Sequence, residues 1–393
     1  MILNNKQEEG LKIAVTRYKN KEPYACIAGY AGSGKSTLIK FIIAALGISN
    51  QDVCYVAYTG KAATVLKQKG CPNAYTAHKL LYNTRPKGDG TFMFIPKKKG
   101  EINYKVIVVD EVSMLPKEMW ELLLSRGVYV LATGDPGQLP PIDPDTDNHV
   151  LDEPHIFLDE IMRQAQDSEI IRLSMWVREG KPLAEFPCKN EQVMIIDKKD
   201  LNTGMYLWPD QILCAKNATR NDINNTVRMI KGFGAEPCIG DKIIGLTNHW
   251  DFQSACGTWD LTNGTIGTIQ SMEKKLIYPP YWIHNGPVEY LYTTMGIESV
   301  EDDWFFNIPI DYKYLTTSIP AFNKKQEVQL RKRKMEGPYD FSYAYAITTH
   351  KAQGSEWNKV LVFEESWPTG EDHARWLYTA ITRAKEKVVI VRK

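Results

Sequence analysis

Cysteine is scarce and scattered in this 393-residue chain: there are seven, at positions 26, 54, 71, 188, 214, 238 and 256, none within sixteen residues of another. That spacing excludes a CxxC zinc or redox pair. Reduced, mostly buried thiols and a cytosolic-type compartment are expected instead. Also missing is any uncharged apolar run near the roughly eighteen residues that a membrane span needs. The opening MILNNKQEEG carries amides and acids where a secretory signal would be apolar. A soluble, cytoplasmic protein without a membrane partner is the expectation. Charge of one sign is lacking too, since 48 Lys plus Arg against 47 Asp plus Glu leave +1. The chain is therefore no general polycation, and any anion-binding surface must be local. What is present, 43% hydrophobic and 24% charged residues, is ordinary for a folded protein and long enough for about two to four domains.

Apolar runs at Tyr24 to Ala28, Val53 to Ala57, Val106 to Val109 and Val128 to Ala132 lack strict alternation. Parallel strands covered on both faces have this pattern. Helical patterns at Lys35 to Leu46 and Lys61 to Lys69 lie between them, predicting a doubly wound α/β domain over residues 1–150. Residues 82–104 break the rhythm: Lys87-Gly-Asp-Gly90 is a turn signal, followed by the strand-like Thr91 to Ile95 and by Lys97, Lys98 and Lys99. They predict a projecting β-hairpin. A second α/β unit is expected from 151–239 and 340–393, with a helix near Ser168 to Glu179 and strands at Asp210 to Ala215, Lys359 to Phe363 and Lys387 to Val391. The intervening 240–339 is rich in Trp, Tyr, Thr, Gly and Pro, and an all-β insertion is its simplest account.

Chemistry enters at Gly29-Tyr-Ala-Gly-Ser-Gly34-Lys35-Ser36, which fits G-x-x-x-x-G-K-[ST] between a strand and a helix. Glycines let backbone N–H groups turn toward phosphate oxygens and the helix N-terminus adds positive charge. Lys35 can reach the β and γ phosphates, and Ser36 can hold Mg²⁺. Val106-Ile-Val-Val-Asp110-Glu111 then ends a strand in two carboxylates, Asp110 for the metal and Glu111 as general base for the attacking water. Gln138, in Thr133-Gly-Asp-Pro-Gly-Gln138, is placed to sense a γ-phosphate. Each feature has a bland counterpart: a glycine turn capping a helix, a solvated acid pair, a Pro/Gly loop.

A set of segments in order resembles the motifs of superfamily 1 helicases, most closely their RecD-like, phage Dda-type branch. The segments are Gly29 to Thr37, Tyr58-Thr59-Gly60-Lys61-Ala62-Ala63, Thr76-Ala-His78-Lys-Leu-Leu81, Asp110-Glu-Val-Ser-Met114 and Gly134-Asp-Pro-Gly-Gln-Leu139, then Ile347-Thr-Thr-His350-Lys-Ala-Gln-Gly354-Ser-Glu356 and Tyr378-Thr-Ala-Ile-Thr-Arg383-Ala-Lys385. The resemblance implies two RecA-like P-loop domains that hydrolyse ATP between them and move 5′ to 3′ on single-stranded DNA, unwinding forked duplex. It also implies roles. Gln7 resembles an adenine-contacting glutamine; Gly32, Ser33, Gly34, Lys35, Ser36 and Thr37 form the phosphate cradle; Arg163 and Arg383 resemble arginines that reach the γ-phosphate from the second domain. Gly354 and Glu356 resemble a nucleotide-side element, with Glu356 toward ribose. Leu261-Thr-Asn-Gly264-Thr-Ile-Gly267 resembles the turn of an SH3-like barrel, whereas Ile277 to Pro320 departs from any motif.

Candidates for single-strand binding are Thr59, Lys61, His78, Thr348, Thr349 and His350, which supply donors for phosphates. Phe92 and Phe94 share one face of the hairpin by the two-residue strand period and are candidates to stack at a fork, where family resemblance puts a strand-separating pin. Lys324, Lys325 and Arg331 to Lys334 form a basic stretch that reads equally as a phosphate-facing surface or a solvated helix face. Both walls of the cleft lie in one chain, so a monomer is expected. Rival readings are a P-loop kinase or GTPase-like switch, an ATP-gated translocase or remodelling factor that does not separate strands, and RNA as the track.

Overall fold

In a computed structural model, described here for residues 3–86, 92–141, 144–162, 167–298, 300, 302–333, 335 and 337–392, the apolar runs become strands Tyr24–Gly29, Val53–Ala57, Val106–Val109 and Tyr129–Gly134. They pair in parallel within a six-stranded sheet. Successive residues of one strand enter opposite layers. Cys26, Cys54 and Ile107 join Trp120 and Leu123 on one face, while Ala25, Ile27, Val53, Val106 and Val108 join Leu38 and Ile42 on the other. Continuous apolar runs are the consequence of this two-sided burial.

The edge strand Ile156–Leu158 pairs in parallel with Ile27–Gly29, which carries the first sheet past the expected boundary at 150. Three residues with Phe157 exposed are too few to make a periodic signal. Strands Val193–Asp197, Gln211–Cys214, Ala346–Thr348, Trp357–Phe363 and Ala384–Arg392 form the second sheet, also parallel. Helices Glu169–Arg178 and Glu371–Ile381 cover it, burying Leu173, Val177, Trp376 and Leu377.

The insertion is a five-stranded antiparallel sheet built on a long ribbon, Ile266–Ile277 with Val288–Ile297. Phe341–Tyr343 pairs with Ile243–Gly245, so the insertion ends beyond the expected residue 339. Trp304–Asp311, inside the segment that matched no motif, is its edge strand. Its loop at Leu261 to Gly264 docks on helix Gly60–Gln68 of the first domain, and a Cβ on Gly60 would lie 1.8 Å from Thr262 Oγ1. Only glycine permits that approach.

The hairpin forms from Tyr82–Pro86 and Phe92–Pro96 with Thr84 opposite Phe94. Its expected turn, with Thr91, lies outside the described residues. No helix among the described residues is long and apolar enough to cross a membrane.

Candidate functional site

The phosphate loop leaves the buried strand at Gly29 and enters helix Lys35–Ala45 through Gly32 (φ 77°) and Gly34 (φ 84°), both left-handed. Lys35 Nζ donates to the carbonyls of Gly29 (2.6 Å) and Tyr30 (3.1 Å), curling over the loop. Ser33 is buried, and its Oγ has no hydrogen-bond partner among the described residues. Ser36 is exposed and Thr37 half-buried on the first helical turn. Gln7 is fully buried rather than solvated. Its side chain completes the capping box of helix Asn5–Lys19 with Asn4, and its Nε2 donates to Ser33 O at 3.2 Å, so it supports the loop directly.

Asp110 accepts from Thr133 Oγ1 at 3.1 Å. The next residue, Glu111, takes a left-handed φ of 51°, uncommon for a side-chain-bearing residue, which turns the carboxyl into the cleft. It keeps some solvent-exposed surface, yet burial pushes its pKa up from 4.5; Asp110 and Asp135 add to the rise, and Arg383 and Lys35 oppose it. Gln138 Nε2 donates to Glu111 Oε1 at 3.3 Å, leaving a buried Oε1 without a partner among the described residues. Arg383 is buried in the second domain, with Nε donating to Thr379 O at 3.0 Å and Nη1 to Ser355 O at 3.4 Å. Lys35, Glu111 and Gln138 from one sheet thus meet Arg383 from the other. Arg163 lies outside the described residues.

Two further groups bind the domains at this cleft and were not read from the sequence as functional residues. Tyr378 OH donates to Asp135 Oδ2 (2.6 Å) and accepts from the phosphate-loop N–H of Ala31 (2.8 Å). Arg178 lays its guanidinium 3.5 Å from the centroid of the Tyr30 ring, with a buried Nη1 that has no partner among the described residues. Tyr378 stands in the same motif as Arg383, so its signal was in view; Arg178 stands in none.

Where strand Val53–Ala57 ends, Thr59 caps helix Gly60–Gln68, its Oγ1 accepting from Ala62 N. His78 sits in a row of rings between Tyr58 (6.1 Å), Tyr82 (6.1 Å) and Phe94 (5.8 Å), and burial lowers its pKa. Phe94 is 42% exposed while touching Tyr82 edge-on; Phe92 is placed by backbone register opposite Pro86.

Lys61, expected at DNA phosphate, stands at a joint between domains. Its ammonium is largely buried at a three-way junction, 3.3 Å from Glu298 Oε2 and 4.3 Å from the Trp357 ring centroid, and so is taken up by protein groups. Burial lowers its pKa to about 8 against the pull of Glu298. Lys242 Nζ also pairs with Glu298 (2.5 Å), and Trp357 Nε1 donates to it (3.2 Å). Burial would push the Glu298 carboxyl up, but the two ammoniums outweigh it and hold it at about 2.

Thr348 and Thr349, also expected at DNA, are both buried, and Thr349 Oγ1 donates to Cys214 O. His350 beside them is half-buried, its pKa lowered by burial. Gly354 approaches helix Gly60–Gln68, where a Cβ would lie 2.8 Å from Ala62 Cβ. Glu356 pairs with Lys69 (3.1 Å) and Lys385 (3.5 Å) rather than with the phosphate loop.

The profile of the AAA domain matches residues 3–199, half of the chain, and that of the UvrD-like helicase C-terminal domain matches 343–391. The chain belongs to the AAA-domain family and is similar to the RecD-like, Dda-type branch of superfamily 1 helicases. This family member is 26% identical to the ATP-dependent RecD2 DNA helicase of Deinococcus radiodurans over 92% of its own length and 46% of that protein. It is 29% identical to the ATP-dependent DNA helicase dda of Enterobacteria phage T4 over 36% of its length and 34% of that protein. It therefore spans less than half the length of these curated relatives. Its fold, two RecA-like domains with insertions, is shared by a Pif1 helicase solved for unwinding at forked dsDNA (TM-score 0.58, 17% identity, 99% of this chain and 92% of that one). Bacteroides Pif1 bound to ssDNA gives TM-score 0.55 at 18% identity with the same coverage.

Proposed function

We propose that this chain is an ATP-dependent DNA helicase that moves 5′ to 3′ along single-stranded DNA and parts the duplex ahead of it. The observation that carries the reading is the meeting of Lys35, Glu111 and Gln138 with Arg383 across two sheets. A site completed only when two domains close couples hydrolysis to their motion.

Mg²⁺ and ATP fit the residues present: left-handed glycines expose loop N–H groups, and Ser33 Oγ and Gln138 Oε1 are buried polar atoms without partners among the described residues. Asp110 and Ser36 would hold the metal, which neutralises phosphate charge when bound. Glu111, its pKa raised, takes the proton of an attacking water that Gln138 orients. Lys35 and Arg383 stabilise the charge developing on the γ-phosphoryl oxygens, with Arg163 expected beside them. On the DNA side, Thr59, His78 and Phe94 of the first domain and His350 of the second form the grips that approach and separate as the cleft works. The DNA-helicase names of the sequence relatives support DNA as the track, and the presence of both cleft walls in one chain supports a monomer.

Hydrolysis with and without single-stranded DNA or RNA, followed by unwinding of duplexes with a 5′ or a 3′ tail, tests the proposal. DNA-stimulated hydrolysis and unwinding from the 5′ tail alone are expected. Unwinding from the 3′ tail overturns the polarity, and DNA-stimulated movement without strand separation favours a plain translocase. Replacing both Phe92 and Phe94 with Ala isolates the pin, since unwinding should fall sharply while DNA-stimulated ATPase persists.

A further inference from the structure

The ribbon Ile266–Ile277 with Val288–Ile297 runs outward from the junction with the first domain, and at about 3.4 Å per residue its tip lies roughly 35 Å away. One side of the tip has its own small core, with Ile283, Val288, Tyr290, Phe322 and Leu330 buried together. Helix Lys324–Lys332 packs there through Leu330. The outer side is bare: Tyr278, Tyr281 and Trp282 are 71%, 81% and 57% exposed. The rings of Tyr281 and Trp282 meet edge-on at 5.0 Å, and the Arg333 guanidinium stands 4.8 Å from the Trp282 centroid. Lys324, Lys325 and Lys332 are exposed nearby in sequence. Between Ala321 and Glu336 six Lys and Arg face two Glu, in a chain whose net charge is only +1.

Folding does not account for these rings, because the core beneath is complete without them. Flat open rings interleaved with cations suit one ligand chemistry, unpaired bases on a phosphate backbone: the bases stack and the phosphates meet ammonium and guanidinium groups. Duplex DNA hides its base faces, and an acidic peptide would use the cations but not the rings.

We infer that Tyr278, Tyr281 and Trp282, with Lys324, Lys325 and Arg333, form a second binding site for single-stranded DNA, remote from the track between the α/β domains. The inference rests on the helicase reading only for the identity of its strand, the tail of a fork that is not being tracked.

The test is equilibrium binding, without nucleotide, of two labelled DNAs: a duplex with a 5′ tail only and a fork carrying an added 3′ tail. The added tail should tighten binding by about fivefold or more. Tyr281→Ala with Trp282→Ala, and separately Lys324→Glu with Lys325→Glu, should each erase that gain, while affinity for the 5′-tailed duplex and DNA-stimulated ATPase stay at parental values. No gain in the parent, a gain that survives both variants, or a loss accompanied by loss of ATPase stimulation overturns the site. A polyglutamate peptide that competes as well as oligo-dT also overturns it, since stacking would then contribute nothing. Failure to unwind would overturn the helicase reading while leaving this binding comparison intact.

Discussion

The nucleotide cleft and the junction beneath the insertion both bring cations and a glutamate together across domains, and they treat these charges in opposite ways. At the junction Glu298 is saturated by Lys61, Lys242 and Trp357, and its carboxyl is held down at about 2. In the cleft Glu111 has one side-chain donor among the described residues, its pKa is raised, and Gln138, Ser33 and Arg178 keep buried polar atoms that no described residue satisfies. Unspent hydrogen-bonding capacity in a closed space is costly for a fold and marks where a ligand completes it. The same residue types, fully paired, make a joint.

Four substitutions break or sharpen that contrast. The largest effect is expected from Lys35→Ala, which should lower ATP turnover by about 10²-fold or more while the melting temperature stays within about 2 °C of the parent. A collapse in melting temperature would place Lys35 with the joint residues. Glu111→Gln should slow hydrolysis by about 10²-fold yet retain nucleotide and raise the melting temperature. The sign follows from its raised pKa: the ionised carboxylate costs stability at neutral pH, and that cost vanishes below the unfolded value of 4.5. Parental hydrolysis should accordingly fall on acidification at a pH above 4.5.

Glu298→Gln should do the reverse, costing about 3 kcal/mol in denaturant unfolding because Lys61 and Lys242 are left facing each other. The depressed carboxyl contributes stability above about pH 4.5 that is lost as pH falls toward 2, so the parent and variant curves should converge in acid. An unchanged stability would reduce the junction to a surface pair. Tyr378→Phe is the gentlest, removing one hydroxyl between Asp135 and Ala31, and should shift KM for ATP by about fivefold with little change in unfolding. A shift in stability instead would move Tyr378 from the cleft to the joint.

Features whose physics is local were legible in the sequence. The strand, glycine turn and helix from Tyr24 to Ala45 need only neighbouring residues to specify them, and Asp110 and Glu111 follow a run whose burial is evident from its own composition. Short or irregular elements were not: Ile156–Leu158 has three residues, and Trp304–Asp311 breaks its apolar run with exposed Phe306 and Asn307 side by side. Lys61 read as a phosphate donor because its partner is 237 residues away.

By itself, then, the sequence determined the parallel strands, the phosphate loop and the order of the motifs, since backbone preference and hydrophobic period act over a few residues. Only the tertiary structure decided which polar side chains remain available. Lys61, Thr349 and Gln7 are engaged in pairing, packing and capping, whereas Ser33, Gln138 and Arg178 keep buried polar atoms without a partner among the described residues. Burial and charge pairing depend on neighbours that only folding brings within reach.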